Sequence, residues 1–124
     1  MGISLAMNQR VQDAVDRVLA GLMAYKLQKV ILFGSYARGD FDEYSDIDLV
    51  VIKDTDERFV QRLVSVMAFV PRDVAADVFV YTPQEFQAMI QSGNSFIEQV
   101  LKDGITIYES TPGDGETVAG PSGA

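Results

Sequence analysis

The sequence contains no cysteine and no histidine. Without cysteine the chain has no disulfide, no thiolate nucleophile and no zinc–thiolate site, a residue usage typical of a reducing compartment. Without histidine it lacks the commonest general base and transition-metal ligand. Any catalytic chemistry must therefore depend on carboxylates, which the sequence has in excess.

Positive charge is scarce as well, with 10 basic residues against 18 acidic ones and a formal net charge of −8. An acidic surface repels phosphate backbones, and no basic stripe with interleaved aromatics is present, so nucleic acid is not an expected partner. No apolar run reaches the ~20 residues of a membrane span, and the N-terminus lacks a signal pattern. We expect a cytoplasmic protein with no membrane contact.

The composition predicts one globular domain followed by a tail. At 124 residues, of which 48% are hydrophobic, the chain is large enough for a single core. From position 110 onward the sequence is rich in Gly, Pro, Ser and Thr and has almost nothing to bury. We expect a domain over residues 1–109 and a flexible tail over 110–124.

Alternating helical and strand patterns predict an α+β domain with a small mixed sheet flanked by helices. A helical crossover between the second and third strands would make these two strands neighbours in the sheet. Acidic residues 54, 56 and 57 are expected in the first turn of the second helix, and Thr82 with Glu85 indicates a capping box. The predicted helices cover 8–26, 54–69, a short segment from 83 and 94–102; the strands cover 29–35, 46–53, 74–81 and, as an edge, 105–108; residues 36–45 are irregular, with room for one helical turn.

Two carboxylates, Asp46 and Asp48, begin the apolar run DIDLVVIK. Alternate residues of a strand share a face, so these side chains point the same way, roughly 6.5–7 Å apart at Cα. A carboxylate in a buried strand costs several kcal/mol unless positive charge lies against it. Both can reach one or two divalent cations, and Mg²⁺ fits best because it prefers oxygen ligands together with substrate phosphates.

A third acid, Asp77, lies in the otherwise apolar run VAADVFVY. If the third strand lies beside the second, Asp77 faces the same cleft as Asp46 and Asp48 and completes the metal site. The alternative is a structural ion pair between Asp77 and Arg38 or Arg72.

Gly34 and Ser35 end the first predicted strand. Glycine permits close backbone approach, and exposed N–H groups there, with the Ser35 hydroxyl, can cradle a phosphate. Arg38 can offer its guanidinium to the same phosphate, or be a plain surface residue. The result is an outline of a phosphoryl- or nucleotidyl-transfer site. The acids between cradle and metal site are interpreted as a solvated loop: Asp40, Asp42 and Glu43.

Gly34-Ser35, ten intervening residues and Asp46-Ile47-Asp48 resemble the Gly-Ser-x10-Asp-x-Asp signature of the DNA polymerase β-like nucleotidyltransferase superfamily. The run GSYARGD…SDIDLVV resembles its minimal nucleotidyltransferase (MNT) branch, over about residues 8–108. The resemblance implies a mixed sheet flanked by helices and transfer of a nucleoside monophosphate from a triphosphate such as ATP. It places Gly34 and Ser35 at the triphosphate and Asp46 and Asp48 on two Mg²⁺ ions. Asp77 would help to deprotonate the acceptor.

Members of the MNT branch are usually encoded beside a HEPN-domain protein, and some adenylylate a tyrosine of that ribonuclease and so act as its antitoxin. The resemblance therefore implies AMP transfer to a protein hydroxyl and a stable hetero-complex with a HEPN-type partner. Two alternatives remain open on the residues alone. One is a binding module that neutralises its partner by contact, and the other is a homodimeric nucleotidyltransferase that modifies a small molecule.

Overall fold

A four-stranded mixed sheet organises the part of the chain that the structure, a computed structural model, describes: residues 9–110. The strand order is β3-β2-β1-β4. β1 runs antiparallel to both of its neighbours, whereas β2 and β3 are parallel. The strands are β1 (Lys29–Phe33), β2 (Ile47–Ile52), β3 (Ala76–Tyr81) and β4 (Ile105–Glu109).

Five α-helices accompany the sheet within residues 9–110. None of them is long and apolar enough to cross a membrane. In chain order they are α1 (Gln9–Leu22, continued by a 3₁₀ turn at Met23–Tyr25), α2 (Ser35–Arg38), α3 (Phe59–Met67), α4 (Pro83–Gln91) and α5 (Ser95–Asp103).

Both faces of the sheet are buried, which explains why the strand sequences read as nearly continuous apolar runs. Ile47 and Leu49 of β2 pack in the core on the side of α1 and α3, while Val50 packs in the core on the side of α4 and α5. Because side chains alternate along a strand, Asp48 lies on the α4–α5 side. A carboxylate on this strand therefore stands at the end of an otherwise apolar face.

The predicted fold class and topology are confirmed. β3 lies beside β2, as the crossover argument requires, and β4 is an edge strand. The capping box at α4 is present, because the Glu85 N–H donates to Thr82 Oγ1 (3.1 Å) and the Thr82 N–H donates to Glu85 Oε1 (2.9 Å).

The start of α3 differs from the prediction. The helix begins at Phe59, so the acids predicted in its first turn precede it. Glu57 shows why, since its carbonyl accepts a hydrogen bond from Arg62 Nε (2.8 Å) and its carboxylate accepts one from the Ser65 hydroxyl (2.9 Å). Hydrogen bonds with two side chains of α3 thus hold Glu57 in front of the helix and outside its first turn. The predicted helix start at Asn8 and nearly all of the predicted tail lie outside the described residues, and the domain boundary stays a prediction.

Arg62 is the buried charge that joins α3 to β3 and α4, with only 5% of its surface exposed. Besides Glu57, it donates to the Val80 carbonyl (3.1 Å) and in two parallel bonds to the Glu85 carboxylate (2.6 and 3.0 Å). These bonds hold the pKa of Glu85 below its usual value. Four of the five guanidinium N–H groups therefore have an acceptor.

Arg62→Met is expected to lower the free energy of unfolding by about 2–3 kcal/mol, because it leaves two carbonyls and one carboxylate without their donor. Urea unfolding monitored by circular dichroism measures the loss. Arg58→Met removes an exposed arginine of the same segment and should change stability by less than about 0.5 kcal/mol. Equal effects of the two substitutions would contradict this role of Arg62.

Candidate functional site

The turn after β1 is built around Gly34, whose backbone angles are φ 77° and ψ −157°. Residues other than glycine rarely adopt this conformation. A Cβ atom on Gly34 would also lie 2.3 Å from Asp48 Oδ2, which no real contact tolerates. The Gly34 carbonyl accepts hydrogen bonds from the Ala37 and Arg38 N–H groups (3.1 and 3.0 Å) and so starts α2. The main chain therefore lies directly against the Asp48 carboxylate.

Asp48 and Asp77 are Cα partners in the parallel pairing of β2 with β3. Asp48 is half-buried and Asp77 is exposed, while exposed Asp46 stands immediately before β2. Burial raises the pKa of Asp48, and the negative charges of Asp77 and Asp46 and a hydrogen bond with Asp77 raise it further. The structure thus brings the three predicted carboxylates to one end of the sheet.

Arg38 forms ion pairs with two different acids. Its Nε donates to Asp40 Oδ2 (3.1 Å), and its Nη1 lies 3.9 Å from Asp103 Oδ2. Its positive charge opposes the upward shift of the Asp48 pKa. Within residues 9–110 no ion pair joins Asp77 to an arginine, so the alternative of a structural pair for Asp77 is wrong.

The acids between the glycine turn and β2 mostly organise their own loop. Asp42 Oδ1 accepts hydrogen bonds from the Tyr44 N–H (2.9 Å) and from the Ser45 hydroxyl (3.2 Å). Glu43 is exposed, and Asp40 pairs with Arg38. These contacts agree with the interpretation of the segment as a surface loop.

The donor set at the end of the sheet fits Mg²⁺ in kind, because carboxylate oxygens are the ligands that this ion prefers. Burial, and after it the negative charges of Asp77 and Asp46, raise the pKa of Asp48, and a bound cation would stabilise the ionised carboxylate against both. Across residues 9–110, however, no three acidic side chains are already arranged as a metal-binding group. The three carboxylates thus lie at the same end of the sheet, but their oxygens do not point to one common metal position.

Sequence reasoning missed the contribution of α5. A cavity of ≈ 180 Å³ opens beside Gly34, and its walls include Phe96, Gln99, Val100 and Asp103 of that helix. The spacing of these four positions by three and four residues places them on one helical face. This spacing is the sequence feature from which the contribution of α5 could have been predicted. A larger cavity of ≈ 270 Å³ lies between α1, α2 and β4 and includes neither Gly34 nor any of the three carboxylates.

The family described as "Polymerase beta, Nucleotidyltransferase" matches residues 19–112 of the sequence. The chain belongs to this family. It is a nucleotidyltransferase, and the predicted resemblance to the polymerase β-like nucleotidyltransferase superfamily is confirmed.

Relatives with curated names support the assignment. A protein of Methanocaldococcus jannaschii named "Putative protein adenylyltransferase" is 36% identical over 83 residues, which cover 67% of this chain and 80% of the relative. A second protein of that organism with the same description is 53% identical over 34 residues, 27% of this chain and 34% of the relative.

Two solved structures share the fold of this nucleotidyltransferase. A "putative nucleotidyltransferase" from Sulfolobus solfataricus superposes with a TM-score of 0.52 and 22% identity, covering 86% of this chain and 83% of that one. A mutant of the toxin-antitoxin MntA-HpeT superposes with a TM-score of 0.50 and 22% identity, covering 81% and 76%. At such identities the likeness concerns the fold.

Proposed function

We propose that this nucleotidyltransferase uses ATP and Mg²⁺ to transfer AMP to a tyrosine hydroxyl of a HEPN-type ribonuclease partner, and so acts as the antitoxin of that partner. The observation that carries the proposal is the contact of the Gly34 main chain with Asp48, which is itself the lateral neighbour of Asp77. The adenylyltransferase description of the relatives and the toxin-antitoxin neighbour agree with it.

The triphosphate is expected to lie on the turn after β1. The first N–H groups of a helix have no partner within it, so those of Ser35 and Tyr36 in α2 are available donors, together with the Ser35 hydroxyl. Arg38 can offer its guanidinium to a phosphate by leaving Asp40, an exposed pair of little energetic weight. These groups bind the donor and orient its α-phosphorus.

Asp46 and Asp48 would hold Mg²⁺, with Asp77 as the third carboxylate. When bound, the metal neutralises charge on the triphosphate and on the departing pyrophosphate. The acceptor oxygen bonds to the α-phosphorus as the bond to the pyrophosphate breaks. Asp77 is exposed beside Asp48, and we assign to it the proton of the acceptor hydroxyl.

The test is the intact mass of the partner after incubation of the two proteins with Mg²⁺ and ATP, the partner being the protein encoded by the neighbouring gene. We expect whole AMP units on the partner and loss of its ribonuclease activity. The double variant Asp46→Asn/Asp48→Asn should produce neither. Asp54→Asn/Asp56→Asn removes the same charge from exposed positions beyond the opposite end of β2 and should behave as wild type.

The other outcomes select the alternatives. If the Asp46→Asn/Asp48→Asn variant neutralises the ribonuclease as well as wild type does, inhibition is by contact and the proposal fails. If label from ATP appears only on small molecules in a cell extract, the acceptor is not a protein.

A further inference from the structure

The signature motif assigns no function to the cavity beside Gly34. It lies where β1 ends, and the side chain of Phe33 is on the same face as that of Asp48, its Cα partner in β2. Its volume of ≈ 180 Å³ is below the roughly 300–1,000 Å³ of pockets that enclose a drug-sized molecule. It can therefore hold one ring system, while the rest of a ligand continues outside along the Gly34 turn.

Two aromatic rings and one valine form the apolar part of the cavity wall. Phe33 and Phe96 meet edge to face, with ring centroids 5.4 Å apart and an interplanar angle of 83°. Phe79 packs against both rings, at 6.4 and 5.7 Å, and fixes their positions. Val100 closes the cavity from α5. Aromatic walls of this kind favour a heteroaromatic ring, which can stack on or pack against them.

Polar side chains also line the cavity, among them Arg38, Gln99 and Asp103. Gln99 Nε2 donates to Asp103 Oδ2, one helical turn away. Because Gln99 lines the cavity and its amide nitrogen is engaged, the amide oxygen is the atom left to accept a hydrogen bond from a ligand. An adenine ring carries an exocyclic amino group that donates to such an acceptor, whereas guanine carries a carbonyl oxygen at the corresponding position.

We propose that this cavity binds the nucleobase of the nucleoside triphosphate, and that the Gln99 amide oxygen selects adenine over guanine. The base would pack against the wall that Phe33 and Phe96 form together, with the phosphates passing over Gly34 toward Asp48. The inference rests on the proposed function for its substrate class, a nucleoside triphosphate, and adds the residue that chooses among these.

The test is equilibrium binding of ATP and of GTP, measured by isothermal titration calorimetry in Mg²⁺ without any acceptor. Wild type should prefer ATP. Gln99→Leu keeps the size of the side chain but removes the amide, so its ATP affinity should fall about 5–10-fold while its GTP affinity is unchanged. Gln84→Leu, an exposed glutamine of α4, is the matched control and should keep the wild-type preference.

An unchanged ratio of ATP to GTP affinity in Gln99→Leu, or an equal loss for both nucleotides, overturns the proposal. So does a Gln99→Leu variant with wild-type nucleotide affinities but a raised KM for the acceptor protein, because the cavity would then hold the acceptor. AMP transfer to the partner together with an unchanged ratio refutes only the base assignment. No nucleotide binding by wild type refutes the proposed function as well.

Discussion

Gly34→Ala is expected to lower the free energy of unfolding by about 2–4 kcal/mol and to reduce nucleotide transfer by about 10²–10³-fold. Two costs add in stability, the strain of an alanine at φ 77° and the clash of its Cβ with Asp48 Oδ2 at 2.3 Å. Relief of the clash moves the Asp48 carboxylate, and a displaced catalytic group costs rate steeply. Urea unfolding and the rate of AMP transfer are the two measurements.

Gly39→Ala separates these two costs. Gly39 has a similarly positive φ of 89°, but nothing lies within 4 Å of the Cβ that it would gain. We therefore expect only the backbone cost of about 1–2 kcal/mol and near-normal transfer. A Gly34→Ala protein that loses no more activity than Gly39→Ala would show that the contact with Asp48 does not matter to the chemistry.

Asp48→Asn is expected to make the protein more stable and inactive. In EDTA at pH 7 the asparagine should unfold at higher urea concentration than wild type, because it removes a half-buried charge beside Asp77 and Asp46. The rate of AMP transfer in Mg²⁺ should fall by about 10³-fold, because the variant loses several kcal/mol of transition-state stabilisation. Mg²⁺ with ATP should stabilise wild type but not the variant.

The pH dependence follows from the raised pKa of Asp48. A raised carboxyl pKa means that the folded state binds the proton more tightly than the unfolded state does. The resulting stabilisation of the folded state is complete below the ordinary pKa of 3.8, and it is lost as pH rises through the pKa of Asp48 in the folded state. In EDTA, the stability advantage of Asp48→Asn over wild type should therefore widen as pH rises from 3.8 to the folded-state pKa of Asp48. Above that pKa the advantage should stay constant. A difference that narrows as pH rises would contradict the crowding of the carboxylates.

The fold was largely predictable because its determinants are local. Strand runs, turn residues and the Thr82–Glu85 cap each depend on neighbours within a few positions, and the crossover argument then places β3 beside β2. The start of α3 was not predictable in this way. Glu57 is held outside the helix by Arg62 and Ser65, and a run of acids carries no information about that contact.

The candidate site likewise contains a part that the local sequence predicts and a part that it does not. The signature places Gly34, Asp46 and Asp48 together over a short stretch of chain, and the strand order adds Asp77. The α5 wall is more than 60 positions from Gly34, and its side chains look like ordinary members of an amphipathic helix until the sheet places Phe33 against Phe96. Likewise, the ion pairs that restrain Arg38 come partly from Asp103, which no pattern near Arg38 announces.

The lateral pairing of Asp48 with Asp77 also bears on how faithfully the sheet assembles. If β3 slipped by one residue against β2, its side chains would exchange faces, and a carboxylate would enter the apolar core under α1 and α3 while Val78 and Val80 left it. Misaligned chains would thus carry an unpaired buried charge and would separate the two acids. The correct folding of the sheet and the catalytic arrangement of Asp48 and Asp77 thus depend on the same register of β2 and β3. Enzymatic activity therefore reports that the sheet has formed in this register.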